Sequence, residues 1–414
     1  MSTTTDPQGG TFRLSMLLND SRYRSLTLQA IAAIVLALAI FQLYSNLAEN
    51  LRIAGLNISY AFLGTPAGYD LNQTLIDYNS QSSNLRAAMV GILNTLLVAV
   101  LGCITATVFG VIAGVLRLSN NWLVSKLMAF YVEIFRNIPV LIWIIIIFTI
   151  MTAVMPGPKL YLGAEPEREL LAGLFAFTNR GIYVPAPFFT SGFGGEEGSG
   201  LNWLLVIGVL VASFFATRFV TANANAKQAE TGVRPNTLYT NIAIWIVPVA
   251  VLLFILGLSW DMPDPLANRF NLRGGLQIGA PLIALWFALS IYTGAFIAEN
   301  VRAGIQAVSK GQTEAASALG LRPGRTMSLV VLPQALRVII PPLISQYLNI
   351  TKNSSLAIVV GYADITATLG GITLNQTGRA IECVLLLMAF YLIISLLIST
   401  GMNIYNNAMK LKER

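Results

Sequence analysis

Histidine is absent from this 414-residue chain, and cysteine occurs only twice, as Cys103 and Cys383. A Cys/His zinc site is therefore excluded. Both cysteines sit inside apolar runs, which argues against a disulfide framework and for small core-filling side chains. Charge is also scarce: 11% of residues are Asp, Glu, Lys or Arg, against about 25% in a typical soluble domain. That shortage excludes a disordered chain, a nucleic-acid-binding surface and an ordinary cytosolic enzyme. No G-x-x-x-x-G-K-[ST] string occurs, so the chain has no phosphate loop for hydrolysing ATP. What it has is apolar mass, 55% of residues with a mean hydropathy of +0.67.

A bilayer core needs about 20 apolar residues in helical form to cross it. Eight runs meet that length: Leu28–Leu47, Ala87–Leu116, Phe130–Met155, Trp203–Val220, Leu238–Trp260, Gln277–Ala298, Leu336–Tyr362 and Cys383–Met402. The first follows Arg22 and Arg24 in the manner of a signal peptide. It starts late and runs longer than a usual h-region, so it reads as an anchor.

Lysine and arginine set the orientation. With both termini cytoplasmic, 17 basic residues fall on inner segments and 8 on outer ones, Lys352 lying within a span. The inner set includes Arg13, Arg117, Arg136, Arg234, Arg302, Arg322, Lys410, Lys412 and Arg414, and the outer set includes Arg86, Arg180, Arg269 and Arg379. Trp203 and Trp260 then fall at the outer interface, where indole rings sit comfortably. Two outer stretches are long, 50–86 and 156–202. The second holds Leu170–Phe177, read as a short interfacial helix, and the aromatics Tyr183, Phe188, Phe189 and Phe193. It also holds Glu165, Glu196 and Glu197, and ends in Gly192, Gly194, Gly195, Gly198 and Gly200. Such a loop either docks an external partner or packs on its own helices.

The segment between the sixth and seventh spans is the most informative. Ser309 and Gln312 have capping-box spacing. Glu314, Ala315, Ala316, Ala318 and Leu319 favour a helix, Gly320 suits its left-handed end, and Pro323 stops continuation. These residues predict a helix of about ten residues, roughly 15 Å long, too short to cross a membrane. A turn at Arg322-Pro323-Gly324 and a second short helical piece ending near Pro333 follow. On these grounds alone, a surface connector and a docking helix fit equally well.

Glu314-Ala315-Ala316, three residues, Gly320, nine residues, then Val330, Leu332 and Pro333 resembles the EAA loop of ATP-binding cassette (ABC) importer permeases. Val330 stands where that pattern has isoleucine. The resemblance implies that Glu314, Ala315, Ala316, Gly320 and Pro333 belong to a coupling helix seated in a groove of an ATPase subunit. Tyr131–Ile142, Gly294–Gly320, Leu332–Ala357 and Gly91–Ala99 resemble core helices of the polar amino-acid subfamily. The longer layout looks like the larger permease of general L-amino acid transporters of Gram-negative bacteria.

The similarity covers about residues 87–156 and 277–402. It implies an all-α integral membrane protein of about eight transmembrane helices with a five-helix type I importer core. Residues 1–86 would be an inner terminus, first span and external loop. Residues 87–402 would be the transmembrane domain, interrupted at about 156–276 by two extra helices, and 403–414 a cytoplasmic tail. The implied partners are an ABC ATPase dimer, a second homologous permease, a periplasmic amino-acid-binding protein and membrane lipid, with no nucleic acid. The chain itself would bind no cofactor and no metal, ATP and Mg belonging to the ATPase. Location would be the bacterial inner membrane.

Charges inside apolar spans mark candidate sites. Lys352 lies 16 residues into the seventh span, with Asn349, Thr351, Asn353, Ser354 and Ser355 around it and Pro341 and Pro342 expected to distort the helix before it. Helical periodicity puts Asn349, Lys352 and Ser355 or Leu356 on one face. Two readings stand: Lys352 meets a substrate carboxylate, or it snorkels outward or pairs with a protein acid. Glu133 with Arg136, and Glu299 with Arg302, have i,i+3 spacing and read as local pairs, the first alternatively with the loop region. An ion-coupled secondary transporter competes with the ABC reading, but it favours midspan acids or histidines, and Glu133, Glu299 and Glu382 lie near span ends. A membrane enzyme would need converging nucleophiles or metal ligands that the sequence does not offer.

Overall fold

The computed structural model describes residues 21–53, 55, 57–163, 166–193, 199–233, 235–265 and 270–409. Arg13, Glu165, Gly194, Gly195, Glu196, Glu197, Gly198, Arg234, Arg269, Lys410, Lys412 and Arg414 lie outside them. The chain divides into two units, residues 1–62 and 63–414. The first contains helix α1, Ser21–Ile53, whose apolar run makes it long enough to span a bilayer.

The second unit begins with an extended stretch and then α2, Asn84–Leu116, whose N-cap Ser83 accepts the Arg86 N–H. The expected third span is not one straight helix. It is α3, Trp122–Asn137, and α4, Val140–Val154, bent by 105°. Pro139 has no N–H to continue the ladder, and it holds Ile138 extended at φ −104°, ψ 131°. Asn121 starts α3 by accepting the Leu123 and Val124 N–H groups at 3.0 and 3.2 Å.

The insertion carries strands where none was expected. β1 (Ala176–Thr178), β2 (Gly181–Val184) and β3 (Ala186–Phe189) precede α5, Ser199–Thr231, and α6, Leu238–Ile255. β4 (Leu258–Asp261) and β5 (Leu276–Gly279) follow. β2 pairs antiparallel with both β1 and β5, Tyr183 opposite Gln277, and β3 pairs antiparallel with β4, Ala186 opposite Asp261. The helix expected at Leu170–Phe177 is instead a tight turn running into β1. Ala172 and Gly173 both take positive φ, 54° and 70°, which an α-helix cannot hold. Trp203 packs on Phe189 with ring centroids 4.9 Å apart. α5 and α6 pack on each other and reach the rest through β3 and β4.

β5 runs without a loop into α7, Ala280–Gln306, the most enclosed helix, with Leu285, Leu289, Ala295 and Ile297 fully buried. α8, Lys310–Ala318, is the short helix expected of that loop. The next helix does not end near Pro333. It starts at Pro323 and widens into a π turn at Met327–Val331. There the Leu332 N–H reaches the Met327 carbonyl, and the chain continues as α9, Leu332–Asn353. A π turn is a common way to keep a helix running where the ladder is disturbed, here ahead of Pro333, which lacks an N–H. Pro341 and Pro342 do not interrupt α9. The change comes later, as a 3-10 stretch from Ser354 to Val360 that ends at left-handed Gly361.

Residues 365–377, which carry no helix in the sequence reading, form a short helical segment with a central π turn. It is fastened to α2. Thr95 Oγ1 accepts the Ile365 N–H at 3.1 Å, and the Tyr362 hydroxyl donates to the Asn94 carbonyl at 3.1 Å. α10, Ala380–Met409, completes the unit.

In a bilayer, burying apolar side chains gives helices little reason to associate, so close packing of small residues must hold them. α2 meets that need with Gly91, Ala106, Gly110, Ala113 and Gly114, all buried. A Cβ on Gly114 would lie 2.6 Å from the Ala298 carbonyl of α7, and one on Gly110 2.5 Å from Ile297.

At the α8 end of this pair, Glu299 accepts from both Arg117 of α2 and Arg302 of α7, while Arg136 of α3 lies 3.9 Å away. Glu133 turns to Arg117 at 3.5 Å, so Glu133 and Arg136 do not pair with each other. Arg136 instead lies over the Phe296 ring, 5.2 Å from its centroid. The expected Glu299–Arg302 pair forms. One partly buried carboxylate thus ties three helices together.

Two outcomes follow for the purified protein in detergent. Gly114→Ala should lower the thermal midpoint, an overpacking cost of about 1–3 kcal/mol, while Gly208→Ala, with no neighbour within 4 Å, should leave it unchanged or raise it slightly, since alanine favours a helix over glycine. Glu299→Gln removes the anion shared by Arg117 and Arg302 and should lower the midpoint in the same melt.

Candidate functional site

The first candidate site is α8 and its surroundings. Its C-terminus is a Schellman motif. The Leu321 N–H reaches the Ala316 carbonyl at 3.1 Å, the Gly320 N–H reaches Ser317 at 2.9 Å, and Gly320 sits at φ +75°. The predicted role of Gly320 therefore has its geometric basis. The capping box does not form: Ser309 makes no side-chain cap bond, and Gln312 is held only through its N–H to the Ser309 carbonyl at 3.1 Å. The turn is also placed differently, since Pro323 opens a helix with Arg322 as its N-cap.

Ala316 is buried on the side where α8 packs on the 323–331 segment, whereas Glu314, Ala315 and Leu319 are exposed, Leu319 at 81%. A large apolar side chain thus stands in the open on the same nine-residue helix as an exposed carboxylate. Of the remaining motif residues, Val330 is half-buried, Leu332 is exposed, and Pro333 sits in the first turn of α9.

The second candidate is the polar face of α9. Asn349 and Lys352 are exposed, and Ser355, half-buried just past the helix end, donates to the Lys352 carbonyl at 2.8 Å. Among the described residues Lys352 forms no ion pair with a protein acid, so that part of the alternative reading is unmet.

The third lies at the end of the bundle opposite α8, and sequence reasoning missed it. A cavity of about 880 Å³ opens between the loop Asp70–Gln73, the β1–β2 turn at Asn179 and Arg180, the start of α7, the far end of α4 and the 365–377 segment. Its floor is fixed by Asn94, fully buried, which donates to the carbonyls of Gln73 at 3.0 Å and Ala363 at 2.8 Å. Its wall rests on Tyr183, whose hydroxyl donates to Asn271 at 2.7 Å. Burial raises the Tyr183 pKa and the Asn271 bond opposes the shift, so the hydroxyl keeps its proton at neutral pH. Asn349, Lys352 and Ser355 are not among the lining residues, although Ile358, Gly361 and Tyr362, just beyond them in the chain, are. No local pattern could have revealed this cavity, because its walls come from segments as far apart as Asp70 and Asn375. Among the described residues no cluster of acids and cysteines offers a metal site.

Residues 237–410 match the family described as "Binding-protein-dependent transport system inner membrane component". Over its whole length the chain is 51% identical to the whole of a glutamate/glutamine/aspartate/asparagine transport system permease protein of Rhodobacter capsulatus. It is 43% identical, over 98% of its length and 96% of the relative's, to a general L-amino acid transport system permease protein of Rhizobium johnstonii. A putative amino-acid ABC transporter permease of Escherichia coli shares 42% over 98% of both chains. Spans, short loop helix and full-length similarity agree, and the chain belongs to the amino-acid permeases of ABC importers.

Proposed function

We propose that this chain is a translocation subunit that carries L-amino acids inward across the bacterial inner membrane, with both termini cytoplasmic. The observation that carries the reading is α8: a short, glycine-terminated helix bearing the EAA pattern, presented at one end of the bundle between its most buried helix and α9. Such a helix transmits force as a rigid body. An ABC ATPase dimer binds ATP and Mg, changes shape with the nucleotide, and moves α8. α7 and α9 follow, shifting the population between outward-open and inward-open states. This chain supplies no catalytic group.

An ATPase dimer offers two grooves and the chain has one EAA loop, so a second homologous permease fills the other. A periplasmic binding protein delivers substrate at the opposite end, where the strand-bearing insertion provides a surface. The 17 to 8 division of basic residues supports this orientation. Asn349, Lys352 and Ser355 face the path between the permeases, where the Lys352 ammonium meets the α-carboxylate that all amino acids share. Side chains are then held loosely, which suits broad specificity.

The test is uptake by the complete complex in proteoliposomes, with the binding protein saturated. Gly320→Val forces a β-branched residue to φ +75°, costing about 1–2 kcal/mol, and tilts α8. It should leave the chain in the membrane, weaken ATPase association and abolish uptake; normal uptake at normal expression would overturn the coupling role. Lys352→Met should reduce uptake of acidic, neutral and basic amino acids alike in an assembled complex. Full uptake, or loss of assembly, would make Lys352 structural.

A further inference from the structure

The cavity opposite α8 has a chemistry that neither the coupling loop nor Lys352 uses. Its rim carries one cation, Arg180, and one anion, Asp70. Both are exposed, and among the described residues neither forms an ion pair. Opposite charges that line one cavity without neutralising each other match a ligand that itself carries both signs. Six amide side chains line the same space: Asn72, Gln73, Asn179, Asn271, Gln277 and Asn375. Each offers a donor and an acceptor, so together they satisfy a polar side chain of either character. Several retain capacity. The Oδ1 of Asn179 is buried with no partner, and Asn375 spends its amide NH₂ on the Gly371 carbonyl at 2.8 Å, leaving its oxygen. The first residues of α7 also line the cavity, bringing the positive end of that helix's dipole to the Arg180 side.

Arg180 is held in place by its own backbone: its carbonyl accepts the Ala280 N–H at 3.1 Å and the Gln277 side chain at 3.3 Å. The Arg180 backbone is therefore fixed at the junction of β2, β5 and α7. The volume, about 880 Å³, falls in the range of small-molecule sites. It exceeds a single amino acid, so the ligand is received with water around it.

We propose that this cavity is an antechamber that binds polar L-α-amino acids as zwitterions, Arg180 taking the α-carboxylate, Asp70 the α-ammonium and the amides the side chain. The assignment rests on the import reading above and adds to it a selective step before the Lys352 region. Because Asn179, Arg180 and Asn271 come from the insertion, this step belongs to the strand-bearing form of the permease rather than to its five-helix core. A charge-assisted, bidentate carboxylate contact gives discrimination as well as affinity.

The test uses the assembled permease–ATPase complex in nanodiscs without binding protein, titrated by saturation-transfer NMR. The probes are L-glutamine, 4-aminobutanamide, which lacks the α-carboxylate, and glutaramate, which lacks the α-ammonium. Arg180→Gln should raise the half-saturating L-glutamine concentration about tenfold, the size of one charge-assisted bond, and leave 4-aminobutanamide unchanged. Arg180→Lys should restore most of the loss. Asp70→Asn should weaken L-glutamine and spare glutaramate. Half-saturation within twofold of wild type in both Arg180→Gln and Asp70→Asn, or equal weakening of all three probes, overturns the antechamber. Uptake in proteoliposomes separates the two claims: a wild-type complex that imports no L-amino acid overturns the import reading itself, whereas normal wild-type import with unchanged variants overturns only the antechamber.

Discussion

The backbone-to-backbone approach of α2 and α7 is the constraint from which the remaining architecture follows. Lipid tails are as apolar as leucine, so these helices cannot be driven together by hiding hydrocarbon. They meet because Gly110 and Gly114 present no side chain to Ile297 and Ala298. Once they meet, Arg117 at the end of α2 falls beside Glu299, and the carboxylate gathers Arg302 and Arg136 as well. The ion cluster is therefore a product of the packing and also its lock. It fixes α3, and the 105° elbow at Ile138–Pro139 then returns the chain across the bundle as α4. The α8 helix hangs from this fixed end by the few residues after Gln306.

The same α7 links the two ends of the molecule. At one end it continues a β-strand without an intervening loop; at the other it leads into α8. Its middle is the most enclosed part of the fold, so it transmits displacement with little give. α8 ends at the left-handed Gly320, and α9 gives way to a 3-10 stretch at Ser354.

Much of this was legible in the sequence. Long apolar runs give the spans because the bilayer imposes one length, and Gly320 gives the end of α8 because few residues tolerate φ +75°. The errors share a cause. Leu170–Phe177 has helical spacing, but its fate was decided by Ala172 and Gly173 turning left-handed so that β1 can pair with β2. β2 in turn pairs with β5, nearly a hundred residues on. Glu133 and Arg136 have i,i+3 spacing, yet each found a stronger partner on another helix. Spacing along one helix says nothing of what a second helix brings alongside. The cavity with Arg180 and Asp70 is the extreme case, built of distant segments with no pattern of their own.

The loopless junction at Gly279 and Ala280 has a thermodynamic consequence. If nucleotide binding biases α7 through α8, it must also alter the affinity of whatever contacts the β1–β2–β5 sheet, and linkage requires the reverse effect to be equal in free energy. On the proposed import reading, a partner seated on that sheet would tighten or loosen nucleotide at the other end of α7 without touching it. The sheet would be an input to the ATPase as much as a receiver of its work, and the idle rate of hydrolysis would report whether the outside is occupied.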